Sequence, residues 1–372
     1  MTFAIITHVS HILEQNQYFA YAPYVREMNL WAKYANKLLI VAPISESKMT
    51  PIDINYEHKN VHFIAIEGFD VLSLKAIGKA IIRIPKISWQ IFSAMQKADH
   101  IHLRCPGNIG LLGSMVQILF PNKPKTAKYA GNWDSKPNQP LTYRLQKWIL
   151  SSTFLTRNMQ VLVYGEWEGS SKNIKPFFTA TYQEADKLPI IQRNYINQIG
   201  FVFVGALVSG KRPLYAIRLV EELYKKGYNV VLELYGEGIE RKILEDYISQ
   251  NNLDNIVLLK GNQTQETVKK AYESSHFAIL PSESEGWPKA IAEGMFWGCV
   301  PVATKVSCVP FMLDYGARGG LIAMDLEKDV PQLETLLKDE NLCKRMSQKA
   351  SDWSRNYTLD VFEKEIKKLL AS

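Results

Sequence analysis

Two glutamates, a lysine and a set of glycines are the residues of this chain whose types and spacing could do chemistry. Glu285 and Glu293 stand in the stretch 280–302, LPSESEGWPKAIAEGMFWGCVPV. Pro281 breaks the apolar run 276–280 (HFAIL), a polar turn follows over Ser282 to Gly286, and Pro288 falls at the expected first position of a helix. Proline suits that position, because its N–H would have no intrahelical partner and its fixed φ is already helical. Gly298 and Pro301 stop the helix, and a new strand opens at Pro301-Val302. A strand, loop, helix, strand unit of this kind aims free backbone N–H groups and the positive end of a helix dipole at the space above the loop, a ready place for phosphate. Glu285 is expected in the loop and Glu293 about two turns into the helix. The two are then too far apart for a close catalytic pair, and one faces the loop while the other lines the same pocket deeper in. Standing alone, they also read as a solvated loop glutamate and an exposed ion-pair partner, since glutamates are mostly surface residues.

A second anion cradle is expected where the apolar run 199–204 (IGFVFV) enters GALVSGKRP, 205–213. Gly205 and Gly210, a helix start at Pro213 and the full charge of Lys211 suit phosphate, with Arg212 beside it. Taken alone, a surface lysine in a turn is the commoner explanation. Gly236 in LYGEG (234–238) and Gly261-Asn262 in LKGN (259–262) also end strands and open helices. Glycines at such junctions are often only turns. In the first half, His8 and Ser10 follow the first apolar run, His102 and Arg104 end another, and Asn132 follows a third. A lone histidine at a strand end is more often structural.

The run Glu285-Gly286-Trp287 through Ala292-Glu293-Gly294-Met295, with Gly298 and Pro301-Val302, resembles the E-x7-E signature of the retaining, GT-B-fold glycosyltransferases of family 4 (glycosyl transferases group 1). The resemblance implies that Glu285 contacts donor-sugar hydroxyls and that Glu293 binds the ribose of a nucleotide, with Gly286, Trp287, Pro288 and Lys289 around them. Lys211 matches the lysine that grips the donor diphosphate in the loop opened by Gly205. Ala206 stands where the family has an arginine, so that contact is missing or comes from Arg212, Lys289 or Arg104. Gly236, Gly261 and Asn262 are implied around the nucleotide, with backbone near Gly261-Asn262 reading the base. On the acceptor side, where His8, Ser10, His102 and Arg104 are candidates, many relatives carry a histidine after the strand corresponding to 127–130. This chain has Gly131-Asn132 there, so either Asn132 takes the role or the placement differs.

What the resemblance implies for the whole is a GT-B fold: two Rossmann-like parallel-sheet domains facing a cleft. Residues 1–187 would bind the acceptor, 188–353 the nucleotide-sugar donor, and the last helix, in 354–372, would cross back onto the first domain. The implied reaction moves a sugar from a UDP- or GDP-sugar to a hydroxyl of a glycan or lipid-linked acceptor, with retention, in cell-surface polysaccharide biosynthesis. A donor phosphate oxygen takes the acceptor proton, so no protein base, metal or cofactor is required. Two other readings use the same fold. A nucleotide-sugar epimerase or hydrolase would need acid–base side chains, of which the sequence offers few. A non-catalytic sugar-nucleotide-binding partner of another transferase would fit Ala206 and the missing histidine. An NAD dehydrogenase is disfavoured, because no G-x-G-x-x-G follows the first strand.

The elements that must position these residues are alternating strands and helices, which imply parallel sheets with ligands at the strands' carboxyl ends. Strands are expected at 3–7, 37–42, 61–66, 100–103, 127–130 and 159–164, with an aromatic-rich helix running from the His8-Val9-Ser10-His11 loop to near Tyr34. The polar stretch 166–189 is the expected connection, and a second series follows with strands at 199–204, 230–235, 256–260, 276–280, 300–304 and 320–323. A chain of 372 residues, 47% hydrophobic and 22% charged, suits two globular domains. No apolar run of about 18 residues occurs, and MTFAIITHVS lacks the basic start of a signal peptide. Cys105, Cys299, Cys308 and Cys343 form no C-x-x-C pair, which disfavours disulfide and metal frameworks and points to a reducing cytoplasm. The net charge of +7 lies wholly in the first half. It is concentrated in the acid-free, aromatic-containing stretches 71–98 and 135–165, which read as solvated helix faces or as a surface for an anionic membrane on its inner side. No nucleic-acid partner is expected.

Overall fold

In the computed structural model the chain divides into two compact units, Met1–Phe177 with Glu363–Ser372, and Phe178–Phe362. The structure describes residues 1–371 except 51, 69–73, 135–138 and 196, and the side chains of 74–81 are also outside the description. Parts of the basic stretches 71–98 and 135–165 therefore lie outside the described residues. The expected division, at 187/188 with 354–372 returning, differs from this one, which falls at 177/178 and returns at Glu363.

The first unit is built on strands β1 (Thr2–Ile6), β2 (Ile12–Glu14), β3 (Gln17–Tyr21), β4 (Lys37–Pro43), β5 (Asp53–Asn55), β6 (Val61–Ile66), β7 (His100–Cys105), β8 (Lys125–Tyr129), β9 (Met159–Tyr164) and β10 (Ile174–Phe177). Seven of them form one sheet in the order β10-β9-β8-β7-β1-β4-β6, parallel throughout. Phe3, Ala4, Ile5 and Ile6 of the central β1 are fully buried. A parallel strand covered on both faces needs such an unbroken apolar run. Two expectations are corrected here. The segment after His11 is not helical throughout, since β2 and β3 form a hairpin turning at Gln15 and Asn16, both at positive φ, and the helix spans only Ala22–Ala32. Positive φ at both central residues is the hairpin geometry that follows strand twist. The 159–164 strand is also not the last of its half, because β10 adds a further edge within the stretch read as a connection.

The second unit holds β11 (Ile199–Val204), β12 (Val230–Tyr235), β13 (Val257–Gly261), β14 (Phe277–Leu280), β15 (Val300–Thr304) and β16 (Gly320–Ile322). Their order is β13-β12-β11-β14-β15-β16, again parallel. The chain winds outward from β11 in one direction, then restarts beside it at β14. Between those two strands the connections leave on opposite sides, and a crevice opens at their carboxyl ends. The first unit has the same feature between β1 and β7.

Candidate functional site

The second unit's switch point brings together the loop after β11, which carries Gly205 to Arg212, and the loop after β14, which carries Pro281 to Pro288. They are joined first by backbone, Glu283 N–H donating to the Gly210 carbonyl at 2.9 Å. Side chains add two ion pairs. The Lys211 ammonium donates to the Glu285 carboxylate, and Arg212 places both Nε (2.9 Å) and Nη2 (2.7 Å) on one oxygen of Glu283. Lys211 is about one-third exposed while Glu285 is buried. The lysine therefore reaches solvent from a loop and neutralises a carboxylate that would be costly to bury alone. Arg212 takes a left-handed conformation (φ 49°) and its pair is exposed on both sides, which makes the contact a weak one.

Glycines bring a third loop into the same place. Gly205 N–H donates to the Tyr235 carbonyl and Gly236 N–H to the Gly261 carbonyl, both at 2.9 Å. A Cβ on Gly236, which has φ 143°, would lie 2.0 Å from the Gly205 oxygen. The loops after β11 and β12 can only approach this closely because position 236 has no side chain. Asn262 is exposed directly after β13.

The helix beyond the signature loop spans Lys289–Phe296, with Pro288 as its N-cap rather than its first residue. Glu293 consequently lies about one turn in, not two. Its carboxylate accepts from the Thr181 hydroxyl at 2.6 Å and from the Tyr272 hydroxyl at 3.3 Å, with the Lys289 ammonium at 3.8 Å. Burial raises the pKa of the Tyr182 and Tyr272 phenols and the Glu293 charge raises them further, so both rings stay neutral beside it. Arg193, buried behind this helix, donates to the Trp297 carbonyl at 2.8 Å and to the Tyr272 carbonyl at 2.9 Å. It thereby caps the helices that carry Glu293 and Tyr272. Thr181, Tyr272 and Arg193 were not singled out from sequence, and no local motif marks them. Trp287 is a correction. Its side chain is buried against Trp353 and Tyr357 at ring distances of 5.9 and 5.3 Å, so it packs beneath the loop rather than lining its surface. The Gly286 carbonyl beside it accepts from the buried Cys308 thiol at 3.0 Å.

In the first unit, His8 follows β1 and sits against Gly107, which follows β7: a Cβ there would meet the imidazole at 3.0 Å. The two loops thus meet at that unit's switch point. The protein packed around His8, which still reaches solvent, and the charge of Arg104 lower its pKa. Arg104 bonds Glu27 at 3.1 Å, and the fully buried Lys128 bonds the other oxygen of the same carboxylate at 2.9 Å. Burial pushes the Glu27 carboxyl up, but the two cations more than offset this and hold it below its ordinary value. His102 is the second correction. It is fully buried in the middle of β7, stacked on Phe3 and bonded through Nδ1 to Thr126 at 2.8 Å, and burial pushes its pKa down to about 3. It belongs to the core. Ser10 is exposed, and the Asn132 side-chain oxygen accepts from the Asp134 N–H at 2.8 Å, closing a local turn.

Two parallel-sheet units of this order define a chain of the GT-B class. Residues 186–353 match the family described as glycosyl transferases group 1. An uncharacterized glycosyltransferase of Methanocaldococcus jannaschii is 27% identical over 158 residues, which are 42% of this chain and 43% of that protein. The match thus spans less than half of that relative's length. Protein CapJ of Staphylococcus aureus is 22% identical over 295 residues, covering 74% of this chain and 72% of its own. Among solved structures, Anabaena HepE in complex with UDP-glucose superposes with a TM-score of 0.70 at 13% identity, over 100% of this chain and 99% of that one. At that identity the likeness is one of fold.

Proposed function

We propose that the protein is a retaining glycosyltransferase that moves a sugar from a UDP- or GDP-sugar to a hydroxyl of a glycan or lipid-linked acceptor. The setting we propose is cell-surface polysaccharide assembly at the cytoplasmic face of a membrane. The observation that carries the reading is the Lys211–Glu285 pair at the switch point of the family-matched unit. Lys211 and the backbone N–H groups at the start of the Lys289–Phe296 helix would meet diphosphate charge where it develops as the bond to the anomeric carbon breaks, the form of stabilisation that lowers a barrier most. Glu285 would orient the sugar hydroxyls, and Glu293, held by Thr181 and Tyr272, would take the ribose. The acceptor oxygen replaces the phosphate oxygen at the anomeric carbon on the same face, and its proton passes to the departing diphosphate. HepE, solved with UDP-glucose, makes uridine donors the first to try.

A second reading, a sugar-nucleotide-binding partner without turnover, is favoured by Ala206 together with the engagement of Arg212 by Glu283. One experiment separates the two. Purified protein is offered a panel of UDP- and GDP-sugars with glycan and lipid-linked acceptors, and nucleotide release is followed with anomeric analysis of the product. Retained configuration with release of one nucleotide supports the transferase. Tight binding without release across the panel supports the partner, and inversion rejects the mechanism.

A further inference from the structure

Three helices of the first unit pack side by side, Asn108–Val116 lying between Leu74–Lys97 and Leu141–Ser151. Their inward faces cover the sheet, as Ile91, Ile109 and Leu150 show. Their outward faces are unlike those of ordinary surface helices. On the first, Trp89 is 69% exposed, with Ile82 two turns before it; beyond the second, Leu119 is 67% exposed, with Met115 one turn before; on the third, Trp148 is 64% exposed, in line with Leu141 and Leu145. Single exposed apolar side chains need no explanation, but a run of them across three neighbouring helices does.

The charges around this patch are mainly basic, with Asp99 and Asp134 standing at its edges near Lys123 and Lys147. Residues 100–133 contain no Asp or Glu, and neither do 74–98 or 139–165. Lys123 and Lys147 are already used, Lys123 capping carbonyls at the end of the first helix and Lys147 bonding the Asp134 carbonyl. Lys86, Lys97, Arg144 and Arg157 are exposed. Glu67 offsets part of this at one margin, where it pairs with Arg83 at 2.6 Å and stands 4.0 Å from Lys86. The second unit's helices differ, since exposed ions there alternate in sign and pair along the helix, as Arg241 does with Glu245 and Lys242 with Asp246.

We infer that these three helices form an interfacial membrane-docking face. Trp89, Leu119 and Trp148 would enter the headgroup region of an anionic bilayer, and Lys86, Lys97 and Arg144 would hold its lipid phosphates. Tryptophan and long basic side chains are the residues that favour that depth, and cations beside it are attracted by anionic lipid. A second copy of the chain is the poorer occupant, because a mainly basic patch repels itself. No helix among the described residues is long and apolar enough to cross a membrane, so the contact lies on the surface. The inference rests on the reading of a lipid-linked acceptor only for its purpose. It goes beyond a charge-driven contact, because the helix at its centre, Asn108–Val116, bears no charge at all.

The test uses the full chain, without donor or acceptor, and vesicles of phosphatidylcholine with or without phosphatidylglycerol. Sedimentation with the anionic vesicles at low salt, a blue shift of tryptophan emission and quenching by brominated lipid are expected. Leu119→Ser with Trp148→Ser should cut partitioning tenfold or more and reduce the quenching, with melting unchanged. Lys86→Gln with Arg144→Gln should also weaken binding about tenfold or more, and flatten its salt dependence. Failure to sediment with either vesicle overturns the inference, as does binding that ignores both variants. So does a dimer in sedimentation velocity that Leu119→Ser with Trp148→Ser dissociates, which would make the face a self-interface. Transfer to a soluble acceptor by a protein that does not bind vesicles would sink this inference and spare the transferase; vesicle binding without turnover on any donor would do the reverse.

Discussion

The two units share one topological feature, a sheet whose winding reverses beside its first strand, and they furnish it with charge in opposite ways. In the second unit the cations stand near solvent: Lys211 is about one-third exposed and Arg212 pairs with an exposed Glu283. In the first, Arg104 and Lys128 are sunk beneath the surface and share the buried Glu27. A cation can meet an incoming phosphate only where it reaches solvent, as Lys211 does while paired with the buried Glu285. The second switch point meets this condition better than the first. Charge at the first is locked inside the fold, and Lys211 at the second reaches solvent.

The largest expected effect tests the structural half of that contrast. Glu27→Gln would leave two buried cations uncompensated, a loss of about 3–5 kcal/mol that urea denaturation would report. A midpoint equal to wild type would break the comparison. The pH dependence follows from the same group. The folded carboxyl lies below its unfolded value of ~4.3. The stability it contributes is therefore complete above that value and lost as pH falls through the lower folded one. Glu27→Gln should lack this part of the acid limb.

Next comes Lys211→Ala, for which turnover should fall about 10²- to 10³-fold, as for loss of one preorganised electrostatic donor, while the bare nucleoside still binds. Because the substitution also leaves the buried Glu285 unpaired, a thermal scan must accompany it, and the charge-free pair Lys211→Met with Glu285→Gln separates lost stability from lost chemistry. Full turnover in either would return Lys211 to an ordinary surface role. Glu293→Ala should cost about 1.5–3 kcal/mol in nucleotide affinity, read by calorimetry. Thr181→Ala should move the same quantity in the same direction by less, about 1 kcal/mol, and a variant that leaves it unmoved would detach Thr181 from the site. Smallest of all, Arg212→Gln breaks an exposed pair and should change stability by no more than about 1 kcal/mol. A larger loss would mean that the second switch point, too, is held by its charges.

Sequence revealed the two units unequally, for physical reasons. The strands of the second sheet are largely buried, so they read as short, mostly apolar runs, and four of the six end at glycine or proline, as at Val204-Gly205 and Leu280-Pro281. That pattern survives without knowledge of contacts. The β2–β3 hairpin was missed because its turn is Gln15-Asn16, which lacks the glycine that normally announces two residues of positive φ. The β10 strand was hidden by Pro176 and by the polar stretch around it, and proline is tolerated there because β10 is an edge. Glu285 and Lys211 were legible as a motif, but their pairing across 74 residues was not. The same holds for Glu293, whose hydroxyl partner Thr181 is 112 residues away. His102 looked like a strand-end residue by position, whereas its neighbours across β1 and β8, Phe3 and Thr126, decide that it faces the core.

The most direct test of the second switch point as a diphosphate site is the affinity gained from the diphosphate itself. Calorimetric titrations of wild type with uridine and UDP, and with guanosine and GDP, should show the diphosphate of one base binding more tightly than its nucleoside. In Lys211→Met with Glu285→Gln most of that increment should vanish, while nucleoside binding is kept. An increment that survives the double substitution in a folded protein would contradict the assignment, as would a wild-type protein that binds neither diphosphate.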